Sequence, residues 1–138
     1  MLEEAIIIAA SAHQGQVDKG GNPYILHPLA VMLSLEDETE RICAVLHDVI
    51  EDTDITLEYL KKAGFSNEVL IALDALSRRK DESYDEFIDR IIKNKMACHV
   101  KLADLKHNMD LSRIKQPSKK DYDRIKKYQK AVKALSKE

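Results

Sequence analysis

Apolar residues recur along this chain at three- and four-residue intervals, and the runs are separated by helix-starting and helix-ending residues. Ile6, Ala9, Ala10 and His13 share such a spacing and predict a first helix over residues 2–14, ended by Gly15. Residues 15–26 hold three of the four glycines and one proline and predict a loop. Pro28 suits a first helical turn, and Leu29, Val31, Met32 and Leu35 carry a second helix to about residue 36. A third is predicted over 38–52 and a short fourth over 56–63, closed by Gly64. Ser66 opens a fifth with Val69, Leu70, Leu73 and Leu76 on its buried face. The Ser83-Tyr-Asp-Glu86 capping box starts a sixth, with Phe87, Ile88, Ile91 and Ile92 inward. The seventh spans 95–111, with Val100, Ala103 and Met109 on an apolar side. The last runs from Ser118 to about 137 on a stripe of Tyr122, Ile125, Tyr128, Val132 and Leu135. The pattern predicts an all-α, single-domain helical bundle of about eight helices, with no strand.

Composition narrows this further. A chain of 138 residues can bury one real core. With 44% hydrophobic and 33% charged residues it is not a disordered chain, and 4 Gly and 3 Pro leave few turns for an all-β fold. Cys43 and Cys98 form no zinc-type or CxxC spacing and read as reduced thiols. The acidic start, Met1-Leu2-Glu3-Glu4, is unlike a signal peptide, and the apolar run Ala5 to Ala10 is too short to span a bilayer. A cytoplasmic location and no membrane partner are the expectations. Net charge is −2, so no nucleic-acid partner is expected, although residues 112–138 carry ten Lys or Arg against Asp121, Asp123 and Glu138. That basic helix reads as a docked helix with a solvated face, and Arg78, Arg79 and Lys80 as a solvated surface run.

Polar residues inside apolar runs carry the candidate chemistry. His47 and Asp48 stand between Ala44-Val45-Leu46 and Val49-Ile50. A carboxylate there is costly unless it is paired or holds a metal. In one continuous helix Glu51 would share a face with His47, and Asp52 with Asp48. Asp104, among Leu102-Ala103 and Leu105, repeats the anomaly, and Asn108 lies four residues on. His27 precedes Pro28 at a helix start, and Lys19 lies beside Gly20-Gly21 in the loop, where it is either a phosphate contact or an exposed lysine. His27, His47-Asp48 and Asp104 come from three predicted helices. Two imidazoles and two carboxylates suit Mn²⁺, Fe²⁺, Zn²⁺ or Mg²⁺.

In this ordered set the sequence resembles the HD-domain metal-dependent phosphohydrolases, and within them the hydrolase module of the Rel/SpoT alarmone enzymes and their small stand-alone relatives. The segments that carry the resemblance are His13-Gln-Gly-Gln16, Pro23-Tyr-Ile-Leu-His27-Pro28, Leu46-His47-Asp48-Val-Ile-Glu51-Asp52-Thr53 and Val100-Lys-Leu-Ala-Asp104 with His107-Asn108-Met109. They lie within residues 9–111 of one HD-type domain spanning 1–138, with the basic helix about 118–137 following.

The resemblance implies one divalent cation, Mn²⁺ in most of the family, held by His27, His47, Asp48 and Asp104. It implies that Glu51 and Asp52 act on the attacking water, and that Lys19 and Asn108 face a small-molecule nucleotide substrate. The implied reaction removes the 3′-pyrophosphate of (p)ppGpp. Two departures stand out. The loop reads Asp18-Lys19 where the family has Arg before Lys, and Leu105-Lys106-His107-Asn108-Met109-Asp110 stands where Arg-Leu-His-Asn-Met-Arg is common. An Asp facing the pocket would repel a polyanion. Hydrolysis of another nucleotide or phosphoester by the same site is therefore the alternative, and a non-catalytic metal or nucleotide sensor a third reading.

Overall fold

The structure is a computed structural model that describes residues 1–137; Glu138 and the side chain of Arg113 lie outside the described residues. Among the described residues it has nine α-helical segments: α1 (Leu2–Ala12), α2 (Leu26–Leu33), α3 (Glu38–Leu46), α4 (Val49–Asp52), α5 (Leu57–Lys62), α6 (Asn67–Ala75), α7 (Tyr84–Ile92), α8 (Lys95–Asn108) and α9 (Lys119–Ser136). A 3₁₀ turn, Leu111–Arg113, precedes α9. Extended pairing among the described residues is limited to one bridge, Val17 with Pro23, across the loop before α2. The all-α expectation holds.

Side-chain caps set most helix starts. Asp37, Thr56, Ser66 and Asn94 each accept the N–H three residues on. Ser83 with Glu86, and Ser118 with Asp121, close reciprocal capping boxes. Gly64, at φ +100°, lets α5 end in a left-handed turn, in which Phe65 N–H reaches Leu60 O and Gly64 N–H reaches Lys61 O.

α3 and α8 form the centre. α3 packs on α1, α2, α6 and α8, and α8 packs also on α2, α6, α7 and α9. Ile42 through Leu46 are all buried, so the second half of α3 is apolar on every side. The buried face of α1 is Ala5, Ile8, Ala9 and His13, rotated from the predicted stripe, and Ala10 is exposed. Ile92 and Tyr122, predicted inward, are 40% and 52% exposed at the last turn of α7 and the first turn of α9.

The predicted third helix is broken between α3 and α4. His47 Nδ1 lies 2.5 Å from Ala44 O. That ring nitrogen takes the carbonyl that the Asp48 N–H would bond in an unbroken helix. The break falls at His47-Asp48 and turns the Glu51-Asp52 turn into a separate element. The predicted seventh helix likewise stops at Asn108 rather than 111.

Candidate metal centre

α2, the α3–α4 break and α8 each deliver side chains to one point. His27 Nε2, His47 Nε2 and an Asp104 oxygen all lie within 4.8 Å of one another, and all three residues are buried. Asp104 Oδ1 is 2.8 Å from His27 Nε2 and 3.1 Å from His47 Nε2. Asp48 Oδ2 lies 3.1 Å from His47 Nε2 and 4.0 Å from His27 Nε2. Asp104 reaches this point because it shares the buried face of α8 with Ala97, Val100 and Leu105.

Around this cluster a second layer fixes each group. A carbonyl can only accept, so the bond to Ala44 O requires the His47 proton on Nδ1 and turns the Nε2 lone pair toward the cluster. His27 Nδ1 lies 2.7 Å from His107 Nδ1. Asp104 Oδ2 accepts from Lys101 Nζ at 3.0 Å, and Oδ1 accepts from Asn108 Nδ2 at 3.1 Å. The Tyr24 hydroxyl donates to Asp48 Oδ2, and its ring lies against those of His13 and His27.

The donor set fits a divalent first-row ion. In a neutral His47 the Nε2 lone pair would face the Asp104 oxygen at 3.1 Å without a proton between them. Either a proton or a cation must sit there. Without a cation, burial works against charging His47, but Asp48 and Asp104 outweigh it and hold the imidazole well above its ordinary range. Burial pushes Asp104 upward, yet Lys101 and His47 outweigh it and keep the carboxyl well below the usual carboxylate range. Burial, reinforced by Asp48, raises Tyr24, which keeps its proton for the hydrogen bond.

Glu51 and Asp52 stand beside this cluster on α4. A Glu51 carboxylate oxygen accepts the backbone N–H of Arg78. Asp52 has a raised pKa, first from burial and then from the charges of Asp48 and Glu51. Gln16 Nε2 donates to Asp52 O at 3.1 Å and holds the loop before α2 against α4. His13 braces the same loop, with Nδ1 2.9 Å from Gln16 Oε1 and a buried Nε2 that has no hydrogen-bond partner.

Cavities open on either side of the cluster. The larger, about 290 Å³, is lined by Lys19, Tyr24, His27, Asn108, Arg124 and Tyr128, with Asp18 and Asp110 also on its wall. The smaller, about 220 Å³, is lined by His47, Asp48, Glu51, Arg78, Tyr84, Lys101, Lys127 and Tyr128. The basic α9 therefore reaches both, and its Arg124, Lys127 and Tyr128 belong to the site. Arg78 joins them, although its sequence context reads as a surface run. The signal was the spacing of Arg124, Lys127 and Tyr128 at three and four residues, which puts them on one helix face. Lys19 Nζ lies 3.4 Å from Asp121 Oδ1 and ties the loop to the α9 cap.

The departures at Asp18 and Leu105 take on a different meaning. Asp18 Oδ1 accepts the N–H groups of Gly20 and Asn22 at 2.9 and 3.0 Å, so this carboxylate shapes its own turn. Leu105 is fully buried in the core and presents nothing to either cavity. Arg124 supplies a guanidinium to the cavity whose loop lacks the Arg.

Comparison with known proteins follows the same lines. The chain is 34% identical over 135 residues to the guanosine-3′,5′-bis(diphosphate) 3′-pyrophosphohydrolase of Vibrio cholerae. It is 32% identical over 135 residues to the bifunctional (p)ppGpp synthase/hydrolase SpoT of Escherichia coli K12. Both matches cover 86% of this chain. The chain is a homologue of the SpoT/Rel enzymes. It spans 19% of the length of each of these two relatives. Among SpoT-type structures, that of a metazoan SpoT orthologue that hydrolyses ppGpp superposes with a TM-score of 0.82 and 27% identity. That superposition covers 98% of this chain and 85% of the other, so the SpoT-type HD fold extends across nearly the whole chain. No protein-family model matches the chain. No helix of the described residues is long and apolar enough to cross a membrane.

Proposed function

We propose that this chain is a metal-dependent ppGpp 3′-pyrophosphohydrolase, working with Mn²⁺ and folded as one HD-type domain over residues 1–138. The reading is carried by the convergence of His27, His47 and Asp104 within 4.8 Å in a homologue of the SpoT/Rel hydrolases. In this reading His27, His47, Asp48 and Asp104 hold the ion. A divalent ion in such a site lowers the pKa of water and polarises a phosphoryl oxygen.

The chain's own groups do the rest. Asp52 takes the proton from the attacking water, and its raised pKa brings it closer to working pH than an ordinary carboxylate. Glu51 reinforces that basicity by its charge and anchors the Arg78 loop. Lys19 and Arg124 meet phosphate charge in the larger cavity, and Asn108 meets the nucleoside sugar while bracing Asp104. Lys19 can leave Asp121 for a phosphate, because Lys19 is 55% exposed and Asp121 keeps its capping bonds to Ser118.

The test is pyrophosphate release from ppGpp by Mn²⁺-loaded protein, with His47→Ala as control. Release that the substitution abolishes supports the reading. Metal-loaded protein that leaves ppGpp intact overturns it.

A further inference from the structure

Arg90 lies on α7, and neither cavity beside the cluster is lined by it. Yet its five N–H groups are all committed, and all to one stretch of chain. Nη1 donates at 3.2 Å to Asp74 O and Ala75 O, the last carbonyls of α6. Nη2 donates to Ser77 O at 2.8 Å and to Glu82 Oε1 at 3.0 Å, and Nε donates to Glu82 Oε2 at 2.8 Å. A cap for α6 would need only the first two of these bonds. The other three pin both ends of the segment 78–81. Glu82 also accepts the Arg79 N–H at 3.0 Å, and its side chain is 11% exposed. The bonds from Arg90 and from that N–H hold its carboxyl down at about 2, so the clamp stays charged at neutral pH.

Ser77 O is the decisive contact. It belongs to the same peptide unit as the Arg78 N–H, which donates to the Glu51 carboxylate. That unit is trans and planar, so its oxygen and its hydrogen point in opposite directions. A grip on the oxygen therefore sets the aim of the hydrogen. A guanidinium on the oxygen also polarises the unit and strengthens the N–H as a donor. The peptide thus stands between a cation and a carboxylate, and each meets the end of opposite sign. Arg79 Nη1 shares the oxygen at 3.0 Å, but that guanidinium is half exposed and paired with Asp74. Glu51 is an exposed residue, and without this bond its side chain would be free to change rotamer.

We infer that Arg90 is a positioning residue, which aims the Arg78 N–H at Glu51 through the Ser77–Arg78 peptide and so holds the Glu51 carboxylate in place beside Asp52. Its consequence for turnover rests on the proposed hydrolase reading; the hold on Glu51 needs no substrate. Arg90 touches no reacting atom and acts on the acidic pair from outside the cavity.

The test has a spectroscopic arm and a kinetic arm. In wild-type protein the Arg78 amide proton should resonate downfield, as a donor to a carboxylate, and Glu51→Ala should move it upfield. Arg90→Lys keeps the charge but not the planar fork that reaches three carbonyls and a carboxylate, and it should move this proton in the same direction. Arg79→Gln, at a half-exposed side chain, should move it by less. In the kinetic arm, Arg90→Lys should lower kcat for ppGpp by about 10- to 100-fold at unchanged KM. In a Glu51→Ala background, which keeps Asp52, the same substitution should cost almost nothing further. A role in folding alone would lower both backgrounds equally. If Arg90→Lys does not fold, Arg79→Gln carries both arms. An Arg78 amide unmoved by these substitutions overturns the inference, and so do equal losses of kcat in the two backgrounds. An amide that moves in protein unable to turn over ppGpp upholds the hold on Glu51 and fails the hydrolase reading alone.

Discussion

The imidazoles of His27 and His107 stack at 4.9 Å between centroids and 23° between planes, with their Nδ1 atoms 2.7 Å apart. One ring donates to the other, and the contact sets the plane of His27. His107 also lines a groove on the far side of α8, beside the Glu40–His99 pair. It thus connects the outer surface to a proposed ligand. Partners of this kind are worth about 10–100-fold in metal affinity. His107→Phe retains an aromatic ring for stacking and removes the nitrogen. It should weaken Mn²⁺ binding by about that factor, measured by calorimetry, while the metal-free melting temperature falls little.

A pH prediction follows from the buried charges. His47 has a raised folded pKa, so its stabilisation is complete below the unfolded value of about 6.5 and is lost as pH rises through the folded one. Asp104 has a depressed folded pKa, so its contribution is present above the unfolded value of about 3.9 and is lost as pH falls through the folded one. Metal-free protein should therefore melt highest between about pH 4 and 6.5. Metal binding requires His47 without its Nε2 proton. The rise in melting temperature on adding Mn²⁺ should be small at pH 5 and grow toward pH 8. A rise that is flat with pH would separate His47 from the metal.

Which parts of this protein can be read from its sequence depends on distance along the chain. Helix starts are local, set by Ser66, Ser83 and Ser118 and the N–H groups three residues on, and they stand where the sequence predicts them. His47 and Asp104 stand out because polar groups in apolar runs need a reason, His27 only through the ordered set it forms with them, and the three meet within 4.8 Å. The helix break was not legible, because it depends on the His47 ring turning back onto Ala44 O. Nor was the part played by α9. Tyr128 lies seventeen positions beyond Leu111, and which face of a basic helix meets a cavity is decided by how it docks on α7 and α8. Arg78 was missed for the same reason, since nothing in Ser77-Arg78-Arg79-Lys80 distinguishes the arginine on the cavity wall from the one paired with Asp74.

In the proposed mechanism Asp52 separates proton transfer from metal binding. It stands apart from the ligand cluster on α4, and burial with the charges of Asp48 and Glu51 raises its pKa. Asp52→Asn keeps the shape and removes the base. Turnover of ppGpp should fall by about 100- to 10,000-fold, the usual range for a general base. The Mn²⁺-induced rise in melting temperature should be retained. In the wild type, activity should fall on the acid side as Asp52 takes up its proton, at a higher pH than an ordinary carboxylate would dictate. Wild-type turnover in Asp52→Asn would assign the proton to another group.

Lys101 Nζ donates to the Asp104 carboxylate at 3.0 Å, with its side chain 15% exposed. Burial opposes its charge, but Asp104 more than compensates and its pKa is raised. Lys101→Met keeps an unbranched side chain of similar length, loses the ammonium over the Phe87 ring and leaves Asp104 without its ammonium partner. Breaking such a buried pair costs about 3–5 kcal/mol. The loss here should lie near the low end, about 3 kcal/mol, because His27, His47 and Asn108 still reach the same carboxylate. The decisive comparison is with metal. A divalent ion bound at Asp104 supplies positive charge next to the orphaned carboxylate, so Mn²⁺ should raise the melting temperature of Lys101→Met more than that of wild type. Denaturant unfolding with and without Mn²⁺ measures both terms. A variant destabilised equally in the two conditions would mean that the ion and the ammonium do not act on the same carboxylate.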